Sequence, residues 1–131
     1  MAGGDLPTER QVQREILRMA GICFPRAFVF HIPNGAHLAG NNTARFKQIG
    51  ALKGDGLKIG MPDLGVLWAV GKGVWIECKR PKLGKVSDVQ KDVHEVLRAL
   101  GWPCEVVTSS HQAFEIIKNL GAPWSGIEWP A

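Results

Sequence analysis

Pro62-Asp63 is followed downstream by Glu77-Cys78-Lys79, two acids and one amine at positions where folding can bring them together. The intervening chain is Leu64 to Val70, then Gly71-Lys72-Gly73, then Val74 to Lys79. Two short apolar runs around a glycine turn predict a β-hairpin, which carries Glu77 back towards Asp63. Side chains alternate along a strand, so Glu77 and Lys79 share one face while Ile76 and Cys78 take the other. Asp63 stands at the start of the preceding strand. Two carboxylate oxygens, a backbone carbonyl and a phosphate oxygen are the hard donors that Mg²⁺ accepts. A cation held there polarises a phosphoryl oxygen and lowers the pKa of an attacking water. Lys79 can orient that water or offset the charge that builds in the transition state. Phosphodiester hydrolysis is the chemistry this set suits. Taken singly, the three residues read as an ion pair on an amphipathic strand and a turn aspartate. The order is what favours a site: PD, a hairpin, an apolar run directly before ExK, then a helix.

The elements that must position these residues follow from periodicity and punctuation. Thr8 and Gln11 form a capping box, and Val12, Ile16, Met19 and Ala20 recur at helical spacing, with Gly21 as the expected stop. Ala27 to Ile32 is aromatic and β-branched and is halted by Pro33-Asn34-Gly35, as a first strand would be. Ala36 to Asn42 reads as loop. Thr43 to Lys53 can form a helix with Phe46 and Ile49 inward. Ser87 opens another, with Val89, Val93, Val96, Leu97 and Leu100 expected on its buried face and Gly101 closing it. Glu105 to Thr108 reads as a brief strand, and Ser109 to Leu120 as a final helix before Gly121. The tail from Ala122 to Ala131 predicts no regular element; Trp124, Ile127 and Trp129 pack either on a partner or back on their own core. The order α-β-α-β-β-α-β-α gives an α/β domain, a mixed central sheet flanked by helices. One domain over residues 1–131 is expected, with its core at about 8–120 and an irregular tail at 121–131.

Bulk properties narrow the class. Apolar residues make up 45% and charged residues 21%, the balance of a globular chain and not of a disordered one. No apolar run reaches the ~20 residues of a membrane span, and the polar Met1 to Arg10 is unlike a secretory signal, so a cytoplasmic location is expected. Cys23, Cys78 and Cys104 contain no CxxC pair and read as buried thiols. His31, His37, His94 and His111 lack zinc spacing; His94, four residues beyond Gln90, could border the site, but the reading preferred for it is a surface or semi-buried histidine. Gly54-Asp55-Gly56 lacks the acids of a calcium loop. The formal charge of +4, from 16 basic and 12 acidic residues, gives a polyanionic partner a slight edge. Arg45, Lys47, Lys53, Lys58, Arg80, Lys82 and Lys85 lie on the helix and loops flanking the acids. As a set they favour a nucleic-acid track that contacts phosphates without reading sequence.

The series Lys58-Ile59-Gly60-Met61-Pro62-Asp63-Leu64, Trp75-Ile76-Glu77-Cys78-Lys79, Ser87-Asp88-Val89-Gln90 and Gly101-Trp102 resembles the VRR-NUC family of the PD-(D/E)XK nuclease superfamily. The resemblance runs from about Thr8 to Leu120 and takes in Pro33-Asn34-Gly35 and Arg45. It implies a restriction-endonuclease-like core, with Asp63, Glu77 and the Cys78 backbone carbonyl as ligands of Mg²⁺ or Mn²⁺. It implies Lys79 as the catalytic lysine, Gln90 reaching the site from the next helix, and an acid from the first helix. Glu9 fits that last position better than Glu15, although an acid in a helix's first turn also suits the macrodipole. Gln90 equally completes a capping box with Ser87. Standalone members occur in phage and bacteria, resemble archaeal Holliday junction resolvases and act as homodimers. The expectation is therefore a metal-dependent endonuclease acting on branched DNA as a homodimer, within a bacterial or phage-infected cytoplasm. A non-catalytic nucleic-acid-binding module on the same fold is the alternative. An RNA-directed nuclease has less support, since no aromatic stacking motif of the RNP type is present.

Overall fold

In the computed structural model residues 5–33 and 42–131 are described. The expected turn at Asn34-Gly35, the loop from Ala36 to Asn41 and His37 lie outside them. The chain runs α1 (Glu9–Cys23), β1 (Phe28–His31), α2 (Asn42–Gly54), β2 (Leu64–Trp68), β3 (Lys72–Cys78), α3 (Asp88–Ala99), β4 (Cys104–Val107) and α4 (Ser110–Asn119). The strands form one sheet in the order β1-β2-β3-β4. β1 and β3 each pair antiparallel with β2, and β4 joins β3 in parallel. A parallel pair cannot be closed by a tight turn, and α3 supplies the crossover.

Alternation along the hairpin builds the core. Leu64, Val66 and Trp68 from β2, and Val74, Ile76 and Cys78 from β3, turn inward. They meet Val12, Ile16, Met19 and Cys23 of α1 and Ala113, Phe114 and Ile117 of α4. α1 extends past Gly21, the expected stop, to Cys23. The reason is packing: Ala20, Cys23 and Phe24 are all buried, and the Phe24 N–H bonds the Ala20 carbonyl. The hairpin turn is Ala69-Val70-Gly71 rather than Gly71-Lys72-Gly73, because Trp68 pairs with Lys72. Gly73 lies inside β3, where a β-carbon would come within 2.8 Å of the Val66 carbonyl oxygen. The three cysteines are free and buried, as expected.

Two apolar assignments are corrected. α2 buries none of its residues, and Phe46, expected inward, is 75% exposed. On α3 the expected stripe is only partly covered: Val89, Val96 and Leu100 are exposed, Val93 and Leu97 are half-buried, and the fully buried residue is His94. No described helix is long and apolar enough to cross a membrane.

The tail folds back on its own chain. Ser125 N–H donates to the Cys23 carbonyl (2.9 Å), and Trp129 Nε1 donates to Ser110 Oγ (2.8 Å). The Arg18 guanidinium lies 4.9 Å from the centre of the Trp129 ring, and the Lys118 ammonium 4.1 Å from that of Trp124. Trp129 thus clips the tail across α1 and α4. Trp129→Ala is expected to destabilise the protein by about 2 kcal/mol in urea unfolding. The loss should be independent of protein concentration; a concentration-dependent loss would place the tail on a partner instead.

Candidate active site

The hairpin register does the first part of the assembly. Leu64 pairs with Ile76, so one step back Asp63 stands opposite Glu77. The Cys78 N–H donates to Asp63 Oδ2 at 2.8 Å, which ties the aspartate to β3 by its side chain. Its backbone carbonyl accepts from Ile32 N–H at 2.7 Å, tying it also to β1. The approach to Asp63 is held from the other side by α3. Gly60 has φ +94°, and a β-carbon there would fall 2.8 Å from both the side chain and the carbonyl of Val89. Only glycine fits that close contact at that dihedral angle.

Glu77 is fully buried. Its Oε2 accepts from Gln90 Nε2 at 3.2 Å, and its Oε1 lies 3.1 Å from His94 Nε2. Lys79 Nζ stands 4.0 Å from Glu77 and 3.3 Å from Glu9 Oε1. The lysine follows directly on β3 and keeps the face that alternation assigns to it. Glu9 enters from the first turn of α1, just after the Thr8–Gln11 capping box. Glu15 instead pairs with Arg18 at 2.9 Å on the exposed side of α1, so the geometry brings Glu9 and not Glu15 to the cluster. Glu9, Asp63 and Glu77 each present a carboxylate oxygen within 4.8 Å of the others.

Burial and like charge show in the proton affinities. Burial, then the hydrogen bond and charge of Asp63, push Glu77 up from an ordinary 4.5 to about 9, with Lys79 pulling the other way. Burial holds the His94 imidazole below its usual range, and the Arg98 and Lys79 charges add to the effect. Burial also raises the Cys78 thiol, which faces the core. Three carboxylate oxygens that repel one another, one of them on the fully buried Glu77, suit a hard divalent cation. Mg²⁺ or Mn²⁺ fits this donor set; a soft, thiolate-seeking metal does not.

Gln90 makes the capping contact and the contact with Glu77 at once. Its Oε1 accepts from Ser87 N–H at 2.9 Å while its Nε2 reaches Glu77. His94 is more central than its sequence context implied. The available signal was its spacing of four from Gln90, which places both on one face of α3. Arg98, four further on, donates to the Cys104 carbonyl at 2.8 and 3.1 Å. A polar ridge therefore faces the sheet, and it displaces the apolar stripe. Arg45, Lys47, Lys53, Lys58, Lys82 and Lys85 are exposed. Arg80 is half-buried, and its shielded Nε has no acceptor among the described residues.

The raised Glu77 pKa sets a stability profile. The unfolded chain loses this proton near 4.5, whereas the folded chain keeps it to about 9. Its contribution is complete below 4.5 and is lost as pH rises towards 9. Glu77→Gln, in chelator, should therefore unfold with wild-type stability at pH 4.5 and exceed it by about 1–3 kcal/mol at pH 8. Equal stabilities at pH 8 would contradict the burial cost assigned to this carboxylate.

A sequence model of the VRR-NUC domain matches residues 25–111, a narrower span than Thr8 to Leu120. It contains Asp63, Glu77, Lys79, Gln90 and His94, and leaves Glu9 outside. No curated protein sequence matches the chain. Among solved structures, a VRR_NUC domain protein is similar at a TM-score of 0.63 and 21% identity, over 88% of this chain and 88% of its own. That likeness carries the fold, which is restriction-endonuclease-like, and the sequence match carries the family: the chain belongs to the VRR-NUC domain family.

Proposed function

We propose that this member of a nuclease family is a divalent-metal-dependent endonuclease that hydrolyses phosphodiester bonds in DNA. The observation that carries the reading is the convergence of Glu9, Asp63 and Glu77 within 4.8 Å, with the Lys79 ammonium among them. The three carboxylates, with the Cys78 backbone carbonyl, would hold Mg²⁺ or Mn²⁺. When bound, the ion supplies Lewis acidity towards the phosphoryl oxygen and makes a water more acidic. Lys79 places a positive charge beside the reacting phosphate and can hold the attacking water by hydrogen bond. Gln90 keeps Glu77 oriented. The unpartnered Nε of Arg80, directly after Lys79, supplies a donor suited to a phosphate oxygen. Arg45, Lys47, Lys53, Lys58, Lys82 and Lys85 extend that basic surface and would position the backbone without reading bases.

A non-catalytic binding module is disfavoured by the acid cluster itself, since acids crowded to 4.8 Å repel a phosphate backbone unless a cation stands between. Asp63→Asn and Glu77→Gln should each abolish cleavage with Mg²⁺ or Mn²⁺ and leave DNA binding in place. Lys79→Ala removes no ligand, so metal binding should persist while the rate falls by a factor of about 100 or more. Labelled forks, flaps, four-way junctions and linear duplexes provide the assay, and faster cutting of the branched forms is expected. Full activity in Asp63→Asn or Glu77→Gln would remove the metal-site assignment.

A homodimer completes the proposal. One small domain offers one site, and a two-fold pair presents two sites to a roughly two-fold junction. The tail tryptophans pack on their own core, and of the apolar side chains that stay exposed among the described residues we assign Val89, Val96 and Leu100, together on α3, as the face for a second copy. Light scattering at micromolar concentration should give twice the chain mass. A monomer that cuts junctions symmetrically would refute this arrangement.

A further inference from the structure

We propose that His94 is a positioning residue whose Nε2–H donates to Glu77 Oε1 and fixes the carboxylate in the orientation the cation meets. The inference rests on the proposed metal site and adds a residue to it. His94 is 2% exposed, and its Nε2 lies 3.1 Å from Glu77 Oε1. A buried imidazole needs a partner, and a fully buried carboxylate is the partner it has. Gln90, one helical turn earlier, donates to the other oxygen at 3.2 Å. Two donors of one helix thus grip both oxygens, and the carboxylate cannot rotate about its terminal bond without breaking both contacts.

The helix that carries the grip is itself fixed at two points. Near its start, Val89 packs against Gly60 on the segment leading to Asp63. Near its end, Arg98 holds the Cys104 carbonyl at the head of β4. β4 pairs with β3, the strand of Glu77. His94 therefore transmits the placement of α3 to the carboxylate. A group behind a metal ligand, removed alone, commonly lowers metal affinity by roughly 10–100-fold.

His94→Leu keeps bulk and removes the donor, whereas His94→Gln puts an amide Nε2–H at comparable reach. Mn²⁺ affinity is measured by calorimetry beside urea unfolding, and cleavage is assayed separately. His94→Leu should weaken Mn²⁺ binding by about 10-fold or more, and His94→Gln should recover most of the loss. Wild-type affinity in His94→Leu would overturn the proposal. So would equal loss in folded His94→Leu and His94→Gln. If the leucine variant does not fold, the glutamine variant and the ring spectrum decide. The ¹⁵N spectrum of the His94 imidazole, recorded without metal above pH 9 where Glu77 is ionised, should show the proton on Nε2; a ring protonated on Nδ1 alone would also overturn it. Absence of Mn²⁺ binding by the wild-type chain would refute the proposed function, while the ring spectrum would still decide the bond to Glu77.

Discussion

A carboxylate with no contact to solvent costs a fold several kcal/mol if it is charged, even after the surroundings relax. Glu77 is such a group, and it has two further acids beside it. The surrounding architecture reads as the means of tolerating it. The antiparallel register sets Asp63 across from it, α3 brings two donors to its oxygens, and the last residue before the β3 exit loop carries an ammonium. None of these contacts survives a shift of one residue in the hairpin, because a slip would turn Glu77 into the core and Ile76 out of it. The hydrophobic pattern Val74, Ile76, Cys78 thus fixes the register that makes the site.

The same requirement explains why α3 departs from its apolar periodicity. Val89, Val93, Val96 and Leu100 define a stripe, and burial of such a stripe is the usual outcome. Here Gln90, His94 and Arg98 define a second stripe at a spacing of four, and each finds a partner on the sheet. Turning the helix to bury the valines would strand Glu77 without donors. Leaving an exposed leucine costs far less than leaving a buried carboxylate unpaired.

Much of the fold was legible from residue order. All eight elements were expected in their observed order, since strong alternation in the hairpin and two capping boxes leave few alternatives. The site was legible where local geometry determines it: Asp63, Glu77 and Lys79 meet through one hairpin. What was not legible depends on how distant elements pack. The choice between Glu9 and Glu15 turns on which end of α1 meets the sheet, and both lie on the same helix. The orientation of α3 depended on Glu77, whose burial no local pattern announces. Phe46 illustrates the reverse error, for its helical spacing suggested a core contact that α2 does not make.

Glu9 shows how the final acid is supplied without belonging to the segment that the family match spans. It sits in the first turn of α1, where unpaired N–H groups and the macrodipole favour negative charge. That end of the helix can host an acid independently of any ion, and packing of Val12, Ile16 and Met19 on the hairpin then delivers it to the cluster. With Glu9 present, three carboxylates face one ammonium, and the residual charge when all are ionised is two negative units. A dication cancels that charge, whereas a monovalent ion leaves the repulsion that raises Glu77 partly intact. Removal of Glu9 would leave Lys79 to offset half of the remaining acidity and so weaken the demand for a dication. The preference of the proposed centre for a divalent ion accordingly resides in the sum of its charges as much as in the identity of any one ligand.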